Sequence, residues 1–358
     1  MSQPTPAASL RTPPPGPVEG RLNGYHRDWH VLRPEGELAP LGRLKTGGPR
    51  PGIHHFDPRC FTVEEDLLIE LALLGVPRIA PVYLIGPIGN EIRAHGYIEG
   101  EPLSRPHPPG TALTPRQLDQ LSELFGRLAT VRPAALALLH DCPPGQWPRD
   151  SAEFLHWLVR FTRERVWEVH RPVFEGLFTA LGIDPGVLAE DGPPARDADR
   201  LADRPACLLH GDLHRDNLIV DEAAGDLWTI DWELALLGDP LYDLATHLHL
   251  MRYPEAQQRD VLAMWARTVE AALPGASAGM AADLPRYLRY KRVQSVFTDV
   301  IRHGLTVLDA PGEELPARLA RTAKAIPAVL HSAAGPLRLR RVPSPGDVEA
   351  AYAALRAG

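Results

Sequence analysis

No apolar run in the 358-residue sequence approaches eighteen residues, and nothing repeats at a fixed period, so a membrane-crossing helix and a repeat or fibrous architecture are both set aside. Cysteine is scarce. Cys60, Cys142 and Cys207 are scattered, form neither a disulfide framework nor a CxxC metal pair, and agree with a reducing compartment. No block of like charge stands out and the net charge of -7 is modest, which leaves nucleic-acid and membrane-surface roles without support. The N-terminal "MSQPTPAASLRTPPPGPVEG" lacks the basic-then-apolar pattern of a signal peptide, and its prolines and small polar residues read as a disordered tail over residues 1–19 of a cytoplasmic protein. Lysine is nearly missing as well. It occurs only at Lys45, Lys291 and Lys324, while arginine carries the remaining positive charge, so a lysine here marks a place that needs a compact ammonium.

What is present divides into a β-rich portion and a helical portion. Strands are expected at Asp28–Leu32 and Leu41–Lys45, and then a helix over "VEEDLLIELALLG", with Thr62 as its N-cap, acidic residues in its first turn and Gly75 closing it. "PVYLIG" and "IRAHGYIEG" read as two further strands. Helices follow, first one capped by Thr114 with Pro115 behind it, then a long amphipathic one from Ser151. "GIDPGVLAEDGPPARDADRLADRP" reads as a loop or short-helix connection, and helices resume at Asp239 and run on to "GDVEAAYAALRAG". The expected fold is α+β: a small β-rich lobe with one helix over residues 20–103, then a larger, mainly helical lobe over 104–358 with a β interlude at 206–231.

The interlude holds "LLHGDLHRDNLIV", a polar knot between aliphatic runs. Pairing "LIV" with "LWTID" as a hairpin centred near Ala224 sets Asn217 opposite Asp231, so an amide oxygen and a carboxylate share one end of a ribbon, as a hard cation such as Mg²⁺ requires. Asp212 heads the connecting loop and can face whatever that cation holds. This arrangement predicts a phosphate site from the residues alone.

"HGDLHRDN", followed by "IDWE" and "GDPLYDLA", resembles the catalytic segment of the aminoglycoside phosphotransferase and choline kinase family, small-molecule kinases with a protein-kinase-like two-lobed fold. The resemblance implies that Asp212 accepts the proton of a substrate hydroxyl while Asn217 and Asp231 hold Mg²⁺ on the phosphates of ATP. It further implies that His210 orients the loop and that Asp243 bonds the loop backbone. His214 and Arg215 are open between phosphate or substrate contact and a solvent-facing role, and Glu233 between metal binding and the start of the next loop. Asp239 reads as a helix N-cap.

A kinase of this type needs a small-lobe lysine paired with a glutamate to place the phosphates, which implies Lys45 with Glu65 or Glu64. "GYIEGEPL" resembles the hinge, where backbone groups of Tyr97, Ile98 and Glu99 would bond adenine. The pattern G-x-G-x-x-G is missing, and only "EGRLNGYHRD", with Gly20 and Gly24, stands where a phosphate-covering loop belongs.

The acceptor is expected to be a hydroxylated small molecule: an antibiotic, natural product or metabolite. "RYLRYKRVQSVFTDVIRHG" mixes Asp299 with Arg286, Arg289, Lys291, Arg292 and Arg302, which does not suit a polycation, although these charges also fit a solvated helix face. A metal-dependent phosphoesterase is the alternative, but the further aspartate and histidine ligands of a two-metal site are not recognisable. A catalytically silent binding module is disfavoured by the presence together of Asp212, Asn217, Asp231 and Lys45. His247 and His249, as i and i+2 residues, do not face each other as zinc ligands would.

Overall fold

The computed structural model describes residues 16–24, 26–137 and 148–357. The expected tail therefore lies, apart from its last four residues, outside the described residues. The chain begins with a five-stranded antiparallel sheet built from β1 (Val18–Asn23), β2 (Arg27–Leu32), β3 (Leu44–Pro49), β4 (Val82–Ile85) and β5 (Ile92–Gly96), in the order β1-β2-β3-β5-β4. Two expectations are corrected here. Residues 18 and 19 belong to β1 and not to a tail, because Val18 pairs with Leu32. The strand carrying Lys45 starts at Leu44, since Gly36–Leu41 forms a 3-10 helix that Gly42, at φ 72, terminates.

Helix α1 (Glu64–Leu73) starts one residue later than its sequence signal: Val63 is the N-cap and no side chain caps it. Gly75, at φ 71, ends it as expected, with its N–H on Ala72 C=O and the Val76 N–H on Leu71 C=O. A short strand β6 (Gly100–Pro102) leads into α2 (Pro115–Thr130), whose Thr114 and Gln117 make the full capping box. Leu121, Leu124, Phe125 and Leu128 form its buried stripe.

The long amphipathic segment is a continuous helix in three parts: α3 (Ser151–Phe161), a π-helical stretch at Thr162–Trp167, and α4 (Glu168–Ala180). After α5 (Pro193–Ala198), strand β7 (Cys207–Leu209) enters the interlude, β8 (Leu218–Asp221) and β9 (Leu227–Thr229) form its hairpin, and β10 (Leu236–Gly238) returns to pair with β7. Strand β6 pairs with β8, so the segment that leaves the first sheet is stitched to the hairpin of the helical portion. Helices α6 (Pro240–Met251), α7 (Glu255–Ala272), α8 (Met280–Leu308), α9 (Leu315–Ala333) and α10 (Pro345–Ala357) complete the chain.

One hydrophobic cluster runs from Phe56 and Leu71 through Phe154, Trp232 and Phe297 to Tyr352. It holds α1, the interlude and the helices on a common core, with Val82 of β4 packed against it, while Val31, Leu32, Leu44, Ile92 and Ala94 are buried within the first sheet. Cys60 is disulfide-bonded, against the expectation that the cysteines stay reduced, whereas Cys207 is free and buried, with its thiol pushed well up by burial. Among the described residues no helix is long and apolar enough to cross a membrane.

Candidate active site

The polar knot is held from beneath. Asp243, on the first turn of α6, accepts from the His210 N–H at 3.2 Å and from the Gly211 N–H at 2.9 Å. Gly211 is required: its φ is +80, and a Cβ there would lie 2.3 Å from the Leu234 carbonyl oxygen. His210 is fully buried, takes the Asp212 N–H on Nδ1 at 3.3 Å, and from Nε2 donates to Ile230 C=O at 3.1 Å. Burial pushes its imidazole down to about 4, so the ring is neutral and both nitrogens are engaged. It orients the loop and has no free nitrogen with which to act as a base.

The hairpin register differs from the expected one by a residue. Leu218 faces Thr229 and Val220 faces Leu227, which sets Asn217 against Ile230, whose N–H donates to Asn217 C=O. Asp221 causes the offset by drawing the Ala224 N–H, at 2.6 Å, and the Trp228 Nε1–H, at 2.9 Å, onto its carboxylate, which moves the turn centre back. Asp231 then departs from strand geometry with φ 63, the left-handed region, and both Asn217 and Asp231 line one cavity of about 680 Å³.

Within that site, Asn217 Nδ2 donates to the Asp212 carbonyl at 2.9 Å and to Asp212 Oδ2 at 3.2 Å. This leaves the amide oxygen of Asn217 available. Asp231 is open to the cleft on one side and enclosed by protein on the others. That enclosure, then the nearby carboxylates of Glu233, Glu64 and Asp212, push its carboxyl up to about 8, with Lys45 pulling the other way. A carboxylate so crowded by negative charge is short of a cation. Among the described residues no group of three His, Cys, Asp or Glu side chains could hold a metal by itself. Mg²⁺ asks for less, one or two protein oxygens with phosphate and water supplying the rest, and Asn217 with Asp231 fits that donor set.

Lys45 lines the same cavity from β3, with its ammonium 4.4 Å from the centre of the Trp29 ring. Burial lowers its pKa, against the attraction of Glu64 and Asp231. The expected ion pair with a glutamate is not formed. Arg27, from β2, takes both candidates, at 2.7 Å from Glu65 and 3.4 Å from Glu64. Glu65 is also 3.1 Å from His95 Nε2, and Glu64 accepts the Trp232 N–H at 2.9 Å, which ties α1 to the residue after Asp231. Sequence reasoning missed Arg27, because nothing in "GYHRD" separates it from an exposed turn charge.

At the hinge, Tyr97 and Ile98 line the cavity, and the Ile98 N–H and C=O have no backbone partner among the described residues. Glu99 does not line it. Its carboxylate is exposed and is gripped by the Arg43 guanidinium, with Nε to Oε1 at 2.6 Å. Glu233 is held by His26 and by Arg59, the latter at 3.0 Å. Arg215 is withdrawn from any ligand, since its three nitrogens donate to the carbonyls of Met251, His107 and Thr111. His214 instead turns Nε2 to Asp212 Oδ2 at 3.3 Å. His247 is spent on Leu213 C=O and the Tyr253 hydroxyl, and His249 on the Ser295 hydroxyl.

An antiparallel sheet with one helix, joined through a hinge to a mainly helical portion that carries the loop of Asp212, defines a protein-kinase-like fold. Residues 62–281, more than half of the chain, match the profile of the phosphotransferase enzyme family, and the chain belongs to that family. Among solved structures, one from Ralstonia eutropha JMP134 named "putative aminoglycoside phosphotransferase" is similar at TM-score 0.51 and 16% identity, covering 96% of this chain and 93% of that one. A choline kinase from Streptococcus pneumoniae is similar at TM-score 0.43 and 16% identity, with 86% of each chain covered. A macrolide 2'-phosphotransferase from Brachybacterium faecium is similar at TM-score 0.42 and 17% identity, covering 89% of this chain and 91% of that one. No curated protein sequence matches. The chain is thus a small-molecule phosphotransferase by family.

Proposed function

We propose that this phosphotransferase moves the γ-phosphate of ATP to a hydroxyl of a small molecule, with Asp212 as the base that accepts the hydroxyl proton. The observation that carries the reading is the convergence of Asn217, Asp231 and Lys45 on one cavity, with Asp212 bonded to Asn217 at its edge. The free backbone groups at Ile98 suit a purine edge, and the cavity of about 680 Å³ is of a size for a nucleotide.

In this reading Asn217 and Asp231 would hold Mg²⁺, which neutralises phosphate charge when bound. Lys45 supplies a compact cation for the phosphates, in a setting where burial strengthens its field. Asp212 is held by Asn217 and His214 in one orientation, its carboxylate still partly open to take a proton. The neutral, doubly bonded His210 keeps the loop rigid. In-line transfer needs little covalent work from the protein, so positioning and charge placement carry the rate. The test is a screen for ATP consumption over hydroxylated metabolites and antibiotics, with and without Mg²⁺. A phosphorylated acceptor formed only with both ATP and Mg²⁺ supports the reading; phosphate release from monoesters without ATP refutes it and favours a phosphoesterase.

A further inference from the structure

A second cavity, of about 330 Å³, opens between α6, α7, α8 and α9 and is lined by His249, Arg252, Arg292, Ser295, Asp299 and Ser332, among others. The charges in it are unevenly answered. Asp299 is committed to Arg302 at 3.0 Å, while Arg252 and Arg292 make no ion pair or side-chain hydrogen bond among the described residues. Arg286 and Arg289 on the same helix pair with Asp283 and Asp197, at 2.5 and 2.8 Å, so the unpaired state of Arg292 is not general to α8. His249, bonded to Ser295, is pushed down to about 4, first by burial and then by the nearby cations Lys291, Arg252 and Arg292.

Arg252 adds a backbone observation. It sits at the C-cap of α6 in the left-handed conformation, φ 50 and ψ 57, which costs a residue with a Cβ about 1 kcal/mol and which glycine adopts freely. Its side chain is exposed at the mouth of the cavity.

The cavity is joined to the reacting end of the site through α6. α6 carries Asp243 and His247 under the loop of Asp212, bonded to Gly211 and to Leu213 C=O, and carries His249 and Arg252 one to two turns further on. Lys291, buried behind Tyr242, lies within electrostatic reach of both Asp212 and Asp299. At 1.5 Å of helix rise per residue, Asp243 and His249 are on the order of 10 Å apart along α6, the span of a small acceptor.

We propose that this cavity binds an anionic group, a phosphate or carboxylate, of the acceptor, so that the substrate is a hydroxylated acid and not a polycation. The inference rests on the phosphotransfer reading and narrows its substrate class. Arg292 and Arg252 provide the charge, with the hydroxyls of Ser295 and Ser332 as further donors.

The test is titration with inorganic phosphate at constant ionic strength, with the nucleotide site filled by MgADP, on wild type, R292Q and the double variant R292Q/R252Q. Expected is saturable phosphate binding that weakens tenfold or more in the double variant, with MgADP affinity unchanged. In turnover, phosphate should compete with the acceptor and not with ATP. Each acceptor found in the screen is compared with its neutral, phosphorylated and carboxylated analogues, and the anionic ones should gain at least tenfold in kcat/KM in wild type only. That comparison separates a phosphate group from a carboxylate. No binding above a chloride control, equal binding in the variants, or a preference for cationic acceptors would overturn the proposal. Failure of MgATP to bind or react would instead fault the phosphotransfer reading and leave the phosphate titration to decide the cavity.

Discussion

Arg27 and Glu65 are joined at 2.7 Å, and with this contact an arginine from the β1–β2 hairpin holds the glutamate that sequence reasoning assigned to Lys45. Lys45 is left free of ion pairs among the described residues and sits against Trp29, available to the cavity. The sheet, α1 and the Asp231 segment are coupled through this cluster, because Glu64 bonds both Arg27 and the Trp232 N–H.

The pair predicts a pH dependence. Burial opposes ionisation of Glu65, but His95 and Arg27 outweigh it and hold the carboxyl at about 2, below the ordinary 4.5. A carboxyl lowered by folding stabilises the fold above its unfolded pKa and ceases to as pH falls through the folded one. The contribution, at most about 3 kcal/mol, is therefore complete above pH 4.5 and lost towards pH 2. Urea midpoints of wild type and E65Q should differ at pH 7 and converge as pH drops through that window. Parallel curves would contradict the assignment.

Lys45→Met should leave the circular dichroism spectrum intact and lower kcat/KM for ATP by about 100-fold, since the cavity keeps its shape and loses its compact cation. Unchanged kinetics would place the phosphates elsewhere.

Gly211→Ala should destabilise by about 1–3 kcal/mol, because the added Cβ meets Leu234 C=O and φ is +80. It should also lower kcat, as relief of the clash moves Asp212. Differential scanning calorimetry with steady-state kinetics checks both effects.

Arg204→Ala should cost about 3–5 kcal/mol. The guanidinium is fully buried between Asp239 and Asp283, each at 2.8 Å, and Tyr287 donates to Asp239 at 2.7 Å. Its removal strands two carboxylates in the core; denaturant unfolding reads the loss.

Much of this was legible in the sequence, for identifiable reasons. The loop "HGDLHRDN" and its hairpin were visible because turn residues and aliphatic alternation are local signals, and Asn217 and Asp231 do share a cavity. The register was misread by one residue because the Asp221 side chain sets the turn, and no spacing rule carries that information. Thr114 and Asp239 were found as caps because the N-cap signal is local. Thr62 failed because the extended Val63 takes the N-cap position. Arg204 left no trace, since its partners lie 35 and 79 residues downstream. Arg27 was missed for the same reason, its pairing with Glu64 spanning 37 residues. The charges of α8 leave two readings open in the sequence, a face unsuited to a polycation and a solvated face, because pairing partners are not local: Arg286 and Arg289 pair with Asp283 and Asp197, Lys291 is buried, and Arg292 faces a cavity.

The most direct test of phosphotransfer by this site is the turnover of Asp212→Ala with MgATP and an acceptor from the screen. Loss of a carboxylate that takes the hydroxyl proton should lower kcat by about 100- to 10,000-fold, with MgATP affinity unchanged. Full activity in Asp212→Ala would contradict the account.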